Sequence, residues 1–221
     1  MRVIGVTDLH GKYHHLSRVL QYKPDVLLVS GDITHFGRDL KVIDYLRYLK
    51  EEGIKIFAVP GNCDTLEVIE KMNRLGINLD GRWVNVDGIY YVGIGGSNRT
   101  PFNTPNEYSE EELYFKFINT VREIEEDIKG RFILISHAPP YNTMADRTLD
   151  GHVGSIAIRR IIQEYRPLLV ACGHIHESRC IDKLGSTYIV NPSPLSFFIS
   201  HISTGEGVGV KGIELYDFPV L

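Results

Sequence analysis

The strongest constraint on this chain is a pattern that occurs five times: a short apolar run ending on residues able to bind a metal. The second copy is the plainest. Positions 26–29 are apolar without interruption, and Ser30 and Gly31 then lead into Asp32. So short a run, with no polar alternation, predicts a strand buried on both faces. A carboxylate at its C-terminal end then lies on the rim of a sheet, where open α/β folds keep their ligand sites. RVIGVTDLH ends in Asp8 and His10, and IKIFAVPGNCD ends in Asn62, Cys63 and Asp64. RFILISHAPP ends in His137, and RPLLVACGHIH ends in His174 and His176. Five runs therefore bring metal-ligand chemistry to what should be one edge.

The segments between these runs predict how that edge is built. Apolar residues at helical spacing predict helices over 13–22, 39–52 and 65–75, the last stopped by Gly76. With strands over 2–6, 26–32 and 54–59, the first third reads β-α-β-α-β-α, a layered α/β pattern. The rhythm then changes. RWVNVDGIYYVGIGG predicts a hairpin turning at Asp87-Gly88. The stretch 98–108 is rich in Pro and Asn and reads as a loop. Ser109 and Glu112 have the spacing of a capping box, opening a helix predicted to run to about 129. A strand over 132–136, a long loop, a helix over 155–165 and a strand over 168–171 follow. The C-terminal part reads as antiparallel strands. Two packed mixed sheets with helices outside both would bury all of these runs: an α/β chain folded as a four-layer α-β-β-α sandwich.

The 221 residues, 43% hydrophobic, suit one domain over 1–221 with a full core. A formal charge of −4 and the lack of a Lys/Arg cluster argue against a nucleic-acid partner. Cysteines 63, 172 and 180 form no CxxC and no disulfide framework, which fits a reducing cytoplasm. With no apolar run near ~18 residues and no signal-peptide core, a cytoplasmic protein without a membrane partner is expected. Homo-oligomerisation stays compatible with all of this.

Asp8 and Asp32 offer anionic oxygen, Asn62 neutral oxygen, and His10, His137, His174 and His176 imidazole nitrogen. Nitrogen and oxygen donors without thiolate suit Mn, Fe, Zn, Ni or Co. Seven ligands exceed what one such ion needs, so two divalent ions sharing a carboxylate are expected. His14, His15 and His201 follow no strand end and read as ordinary histidines; Cys172 reads as core.

Asp8-x-His10, Gly31-Asp32, Gly61-Asn62-x-Asp64, His137 and Gly173-His174-x-His176 together resemble the calcineurin-like metallophosphoesterase superfamily, in order and spacing over nearly the whole chain. GDITHFG, SHAPPYNT and CGHIHES look most like small prokaryotic members related to cyclic-nucleotide phosphodiesterases. The resemblance implies the four-layer sandwich. It implies one metal on Asp8, His10, Asp32 and His176, and a second on Asp32, Asn62, His137 and His174, with Asp32 bridging. The implied activity is hydrolysis of a small phosphate ester, a phosphodiester by preference, through in-line attack of a metal-bridging hydroxide. Asn62 as a neutral ligand leaves such a site net positive and attractive to phosphate.

One position departs from the family pattern. Many members carry histidine after the Gly-Asn, where it assists the leaving group; here it is Cys63, which could donate a proton or simply fill space. Asp64, which orients that histidine in the family, could instead cap the helix that begins near Thr65. His35 and His152 are candidates for contacting substrate or donating a proton, and Asn98 and Arg99 lie in a loop that could reach the site. Two alternatives are a nuclease of the same superfamily and a phosphoesterase-fold interaction module without turnover.

Overall fold

A computed structural model describes residues 1–205 and 207–218. In chain order, β1 (Arg2–Val6), α1 (His14–Val19), β2 (Val26–Ser30), α2 (Lys41–Glu51), β3 (Lys55–Val59) and α3 (Leu66–Leu75) make the expected alternation. The hairpin of β4 (Arg82–Val86) and β5 (Ile89–Ile94) follows. Asp87 and Gly88 at its turn both have positive φ, 52° and 84°, the geometry that matches strand twist. Next come β6 (Ser97–Asn98), β7 (Glu107–Tyr108), α4 (Glu110–Val121), α5 (Glu125–Ile128) and β8 (Phe132–Ser136). The rest is β9 (Arg147–Thr148), β10 (Gly151–His152), α6 (Ile156–Tyr165), β11 (Leu169–Ala171), β12 (Cys180–Leu184), β13 (Thr187–Asn191), β14 (Ser196–Ser203) and β15 (Gly209–Asp217).

Two large sheets carry the fold, ordered β15-β14-β1-β2-β3 and β12-β13-β11-β8-β5-β4. Both are mixed: β1, β2 and β3 are parallel, β14 is antiparallel to β1, and β5, β8, β11 and β13 are parallel between antiparallel edges. The two-residue period of each strand sorts its side chains between layers. In β2, Leu27 and Val29 pack with Leu16, Leu46 and Met72 of the first three helices. Val26 and Leu28 face the other way, into an inter-sheet core with Ile133, Ile135 and Leu169. In β8, Phe132 and Leu134 pack against Phe117 of α4 and Ile161 of α6. This is the four-layer α-β-β-α sandwich. Burying each such side chain contributes about 1.5–3 kcal/mol, so the apolar runs fix both the sheet and its two faces.

The differences from expectation are local. The helix opened by the Ser109–Glu112 capping box stops at Val121 instead of running to about 129. Ile124 leaves helical geometry (φ −124°) and α5 restarts at Glu125. Continuing would have put Glu123, Glu125, Glu126 and Asp127 at the negative end of the helix dipole; restarting puts three of them in a first turn, where they are favoured. The loop over 98–108 carries a small parallel pair, Ser97–Asn98 with Glu107–Tyr108. The long loop after β8 contains a 3₁₀ turn, Met144–Asp146, and a short hairpin, β9–β10. Among the described residues, no helix is long and apolar enough to cross a membrane.

Candidate metal centre

The C-terminal ends of β1, β2, β3, β8 and β11 meet at one rim. Their loops stay in register past the strand ends: the Asp8, His10 and Gly11 amides donate to Gly31 O, Asp32 O and Ile33 O at 2.9–3.0 Å. Asp64 joins the third loop to the second. Its buried carboxylate accepts from the amides of Ile33, Thr34 and Gly61 and from Thr34 Oγ1, at 2.8–3.0 Å. It therefore does not cap α3, whose N-cap is Thr65, without a side-chain bond.

Four candidate ligands have left-handed backbone: Asp8 (φ 50°), His10 (43°), Asp32 (47°) and His174 (68°). Such conformations cost about 1–3 kcal/mol each outside glycine and concentrate at functional sites. Two neighbouring glycines are required by space. A Cβ on Gly61 would stand 2.0 Å from Asp32 Oδ1, and one on Gly173 would stand 2.5 Å from Asp8 Oδ2 and 1.8 Å from Thr7 Oγ1.

Each carboxylate is oriented by donors. Asp8 Oδ2 accepts from Thr7 Oγ1 (2.8 Å) and the His174 amide (3.0 Å), leaving Oδ1 toward His176 Nε2 at 3.3 Å. Asp32 Oδ1 accepts from the Cys63 amide (2.9 Å) and lies 3.5 Å from His137 Nε2, while Oδ2 lies 3.9 Å from His10 Nε2. The two oxygens of Asp32 thus serve two different imidazoles. Ligand atoms of Asp8, His10 and His176, and of Asp8, Asp32 and His137, each fall within 4.8 Å of one another. His174 stands against His137 with ring centroids 5.0 Å apart. All seven sequence-predicted ligands are brought to this rim.

The electrostatics fit a cation. Asp8 and Asp32 are buried, 1% and 3% exposed, and among the described residues no lysine or arginine pairs with either. Buried carboxylates without such partners call for a metal or an equivalent charge. Burial alone would raise Asp8; the hydrogen bond to His176 and the nearby His137 hold it down at about 2. Burial, then His137, lowers His174 to about 4, and burial lowers His10, so both stay neutral and ligand-ready at neutral pH. The bond to Asp8 raises His176.

The sharpest fit is at His137. Its Nδ1 faces the Ser30 carbonyl at 2.8 Å, and a carbonyl only accepts, so Nδ1 carries the proton. A His137 ring ready to bind a metal then turns its Nε2 lone pair toward Asn62 Oδ1, 2.8 Å away. Asn62 cannot relieve this by rotating its amide, because Nδ2 is donating to Thr104 Oγ1 at 2.9 Å. Two acceptors in contact are stable when a cation sits before both. On the other side His10 Nε2 approaches His176 Nε2 to 3.4 Å, and His10 Nδ1 is buried without a hydrogen-bond partner among the described residues.

The remaining candidates separate. His35 is exposed and edge-on to His10, ring centroids 5.5 Å apart, so it borders the cluster. Cys63 is buried beside Asn62; burial first, then the Asp32 charge, pushes its thiol well up, so it is a neutral thiol near pH 7. His152 is engaged by other groups. Its Nδ1 pairs with the buried Asp146 at 2.7 Å and its ring stands edge-on to Tyr141. A cleft of about 700 Å³ opens over His174 and His176, walled by Asn98, Arg99 and Phe102 on one side and by Thr148, Asp150 and Val153 on the other. Sequence reasoning missed Thr7, which holds Asp8, and Asn191, whose Nδ2 reaches the carbonyls of Gly173 and Ile175 around the His174 turn. The only sequence signal for Asn191 is its place at a strand end before proline.

We expect Gly61→Ala to weaken metal binding roughly 5- to 150-fold, since such a clash costs about 1–3 kcal/mol. Metal titration at unchanged circular dichroism checks this.

Two mixed sheets sharing a rim of carboxylates, imidazoles and one amide define a four-layer α/β protein with a candidate metal centre. The chain belongs to the calcineurin-like phosphoesterase family, whose model matches residues 1–178. It is 52% identical over 204 residues to an uncharacterized protein of Methanocaldococcus jannaschii, covering 90% of this chain and 91% of the relative. It is 27% identical over 211 residues to a "probable cyclic nucleotide phosphodiesterase" of Vesicomyosocius okutanii, covering 91% and 82%. Among solved structures it is similar to the TT1561 protein of Thermus thermophilus, at TM-score 0.71, 16% identity and 90% and 92% coverage. It is also similar to a dimetal phosphatase from Danio rerio, at TM-score 0.64, 12% identity and 99% coverage of both chains. These two likenesses bear on the fold alone.

Proposed function

We propose that the protein is a two-metal phosphodiesterase acting on a small ester. One ion would be held by Asp8, His10, Asp32 and His176, and the other by Asp32, Asn62, His137 and His174. The division of Asp32's oxygens between His10 and His137 supports its role as the bridge. Bound, such ions supply an acidified water near neutral pH and positive charge for the phosphoryl oxygens. The chain's own groups do the orienting. Thr7 and the His174 amide turn Asp8 Oδ1 toward His176, and the Cys63 amide holds Asp32. His35 borders the open side, where it can donate to an ester oxygen.

The observation that carries the diester reading is the cleft beside the ligands. It gives an organic ester group a place, with Phe102 and Val153 as apolar wall. Its charged lining is Arg99 against Asp150 and Glu177, which suits a monoanionic diester better than a dianionic monoester. The description of the Vesicomyosocius okutanii relative points the same way. The test is hydrolysis of bis(4-nitrophenyl) phosphate beside 4-nitrophenyl phosphate by manganese-reconstituted protein. The diester is expected to have the higher kcat/KM; turnover of the monoester alone would contradict the diester reading.

A further inference from the structure

Only one end of an asparagine amide can bind a metal, and the two ends have nearly the same shape. Whatever holds the other end therefore decides whether Asn62 is a ligand at all. Asn62 Nδ2 meets Thr104 Oγ1 at 2.9 Å, across 42 residues of sequence. A threonine hydroxyl could donate or accept there. Its direction is set by Glu107, whose Oε1 accepts from Thr104 Oγ1 and, at 2.8 Å, from the Thr104 amide. The same carboxylate accepts from the amide and hydroxyl of Thr100. Burial works against its charge, but these four donors hold Glu107 at about 2, so it is ionised and accepts only. The single proton of Thr104 is thus committed to Glu107, and its lone pair is left for the Asn62 N–H. Oδ1 is thereby turned to His137, 2.8 Å away.

We infer that Thr104 and Glu107 are positioning residues that fix which end of the Asn62 amide faces the metal centre. The inference rests on the reading of Asn62 as a ligand. The segment bearing them is itself docked on the ligand loop: the Asn106 amide donates to Asn62 O and Asn106 Nδ2 to Gly61 O, both at 3.1 Å. The relay is therefore held against Asn62 by contacts that do not involve Thr104's side chain.

The experiment is calorimetric titration of metal-stripped protein with manganese, comparing wild type, Thr104→Val, Thr104→Ser, Thr100→Val and Asn62→Ala, with thermal unfolding as a folding check. Removing a residue that orients a ligand typically costs 10–100-fold in metal affinity. Thr104→Val is expected to weaken one binding event by roughly that factor and leave the other alone. Thr104→Ser is expected to bind as wild type does. Thr100→Val removes a hydroxyl donor from the same Glu107 oxygen without touching Asn62, and is expected to bind normally. Wild-type affinities in Thr104→Val, with loss in Asn62→Ala, would overturn the relay while keeping Asn62 as a ligand. Equal losses in Thr100→Val and Thr104→Val would overturn it in favour of simple loop anchoring. Unchanged binding in Asn62→Ala would remove the ligand reading itself.

Discussion

Asp32→Asn is expected to lower kcat by more than ~100-fold, at least ~2.7 kcal/mol of barrier, while the fold survives. Asp32 is 3% exposed and its oxygens face opposite ways, Oδ1 to His137 and Oδ2 to His10. An amide keeps the size of the side chain, and its oxygen can still accept the Cys63 amide. It loses the negative charge and one of the two donor oxygens, so it cannot serve both imidazole groups. Circular dichroism and thermal unfolding check the fold, and initial rates on an aryl phosphodiester check the chemistry. A variant keeping more than about a tenth of kcat, a loss under ~1.4 kcal/mol, would contradict the bridging role.

The second large effect concerns the leaving group. An acidic aryl alcohol departs without a proton, but an alkyl alkoxide needs one. Cys63 lies beside Asn62 with its amide on Asp32, and its buried thiol, pushed up by burial and by Asp32, is a weak acid. His152 is turned to Asp146 and Tyr141 and does not line the cleft. His35 also borders the cluster, but it is exposed. Rates should therefore fall steeply as the leaving group becomes more basic. General acid catalysis is worth about 10²–10⁴-fold, and Cys63→His should recover part of that on alkyl esters. The measurement is a series of aryl and alkyl methyl phosphodiesters across wild type, Cys63→His and His152→Ala. A flat dependence in wild type that turns steep in His152→Ala would make His152 the acid, against its observed position. A flat dependence in all three would contradict the expected steep fall and clear His152 of a proton-donor role.

Much of this could be read in the sequence because the apolar runs encode it. Residues 26–29 are apolar at every position because β2 is covered on both faces, by helices through Leu27 and Val29 and by the other sheet through Val26 and Leu28. Ligand types at the ends of such runs must reach one rim once the strands are parallel neighbours. The capping box at Ser109 and the Asp87-Gly88 turn are local signals and formed where expected. What could not be read depends on contacts between distant segments. Nothing near Asp64 in the chain says that it bonds the loop at Ile33 and Thr34 instead of capping α3. Nothing near His152 says that its ring pairs with the buried Asp146. Thr104 and Glu107 sit in a stretch that looks like an unstructured Pro- and Asn-rich loop, and acquire meaning only when it docks on Gly61 and Asn62. The left-handed backbone at Asp8, His10, Asp32 and His174 carries no sequence mark either, since none is glycine.

Everything proposed for the chemistry depends on the rim holding two ions. The direct measurement is elemental analysis of purified protein after reconstitution with excess manganese and removal of free metal, run beside Asp32→Asn. Two ions per chain are expected in the wild type and fewer in the variant. At most one ion per wild-type chain, after separate trials with manganese, zinc, iron and nickel, would contradict the two-metal centre.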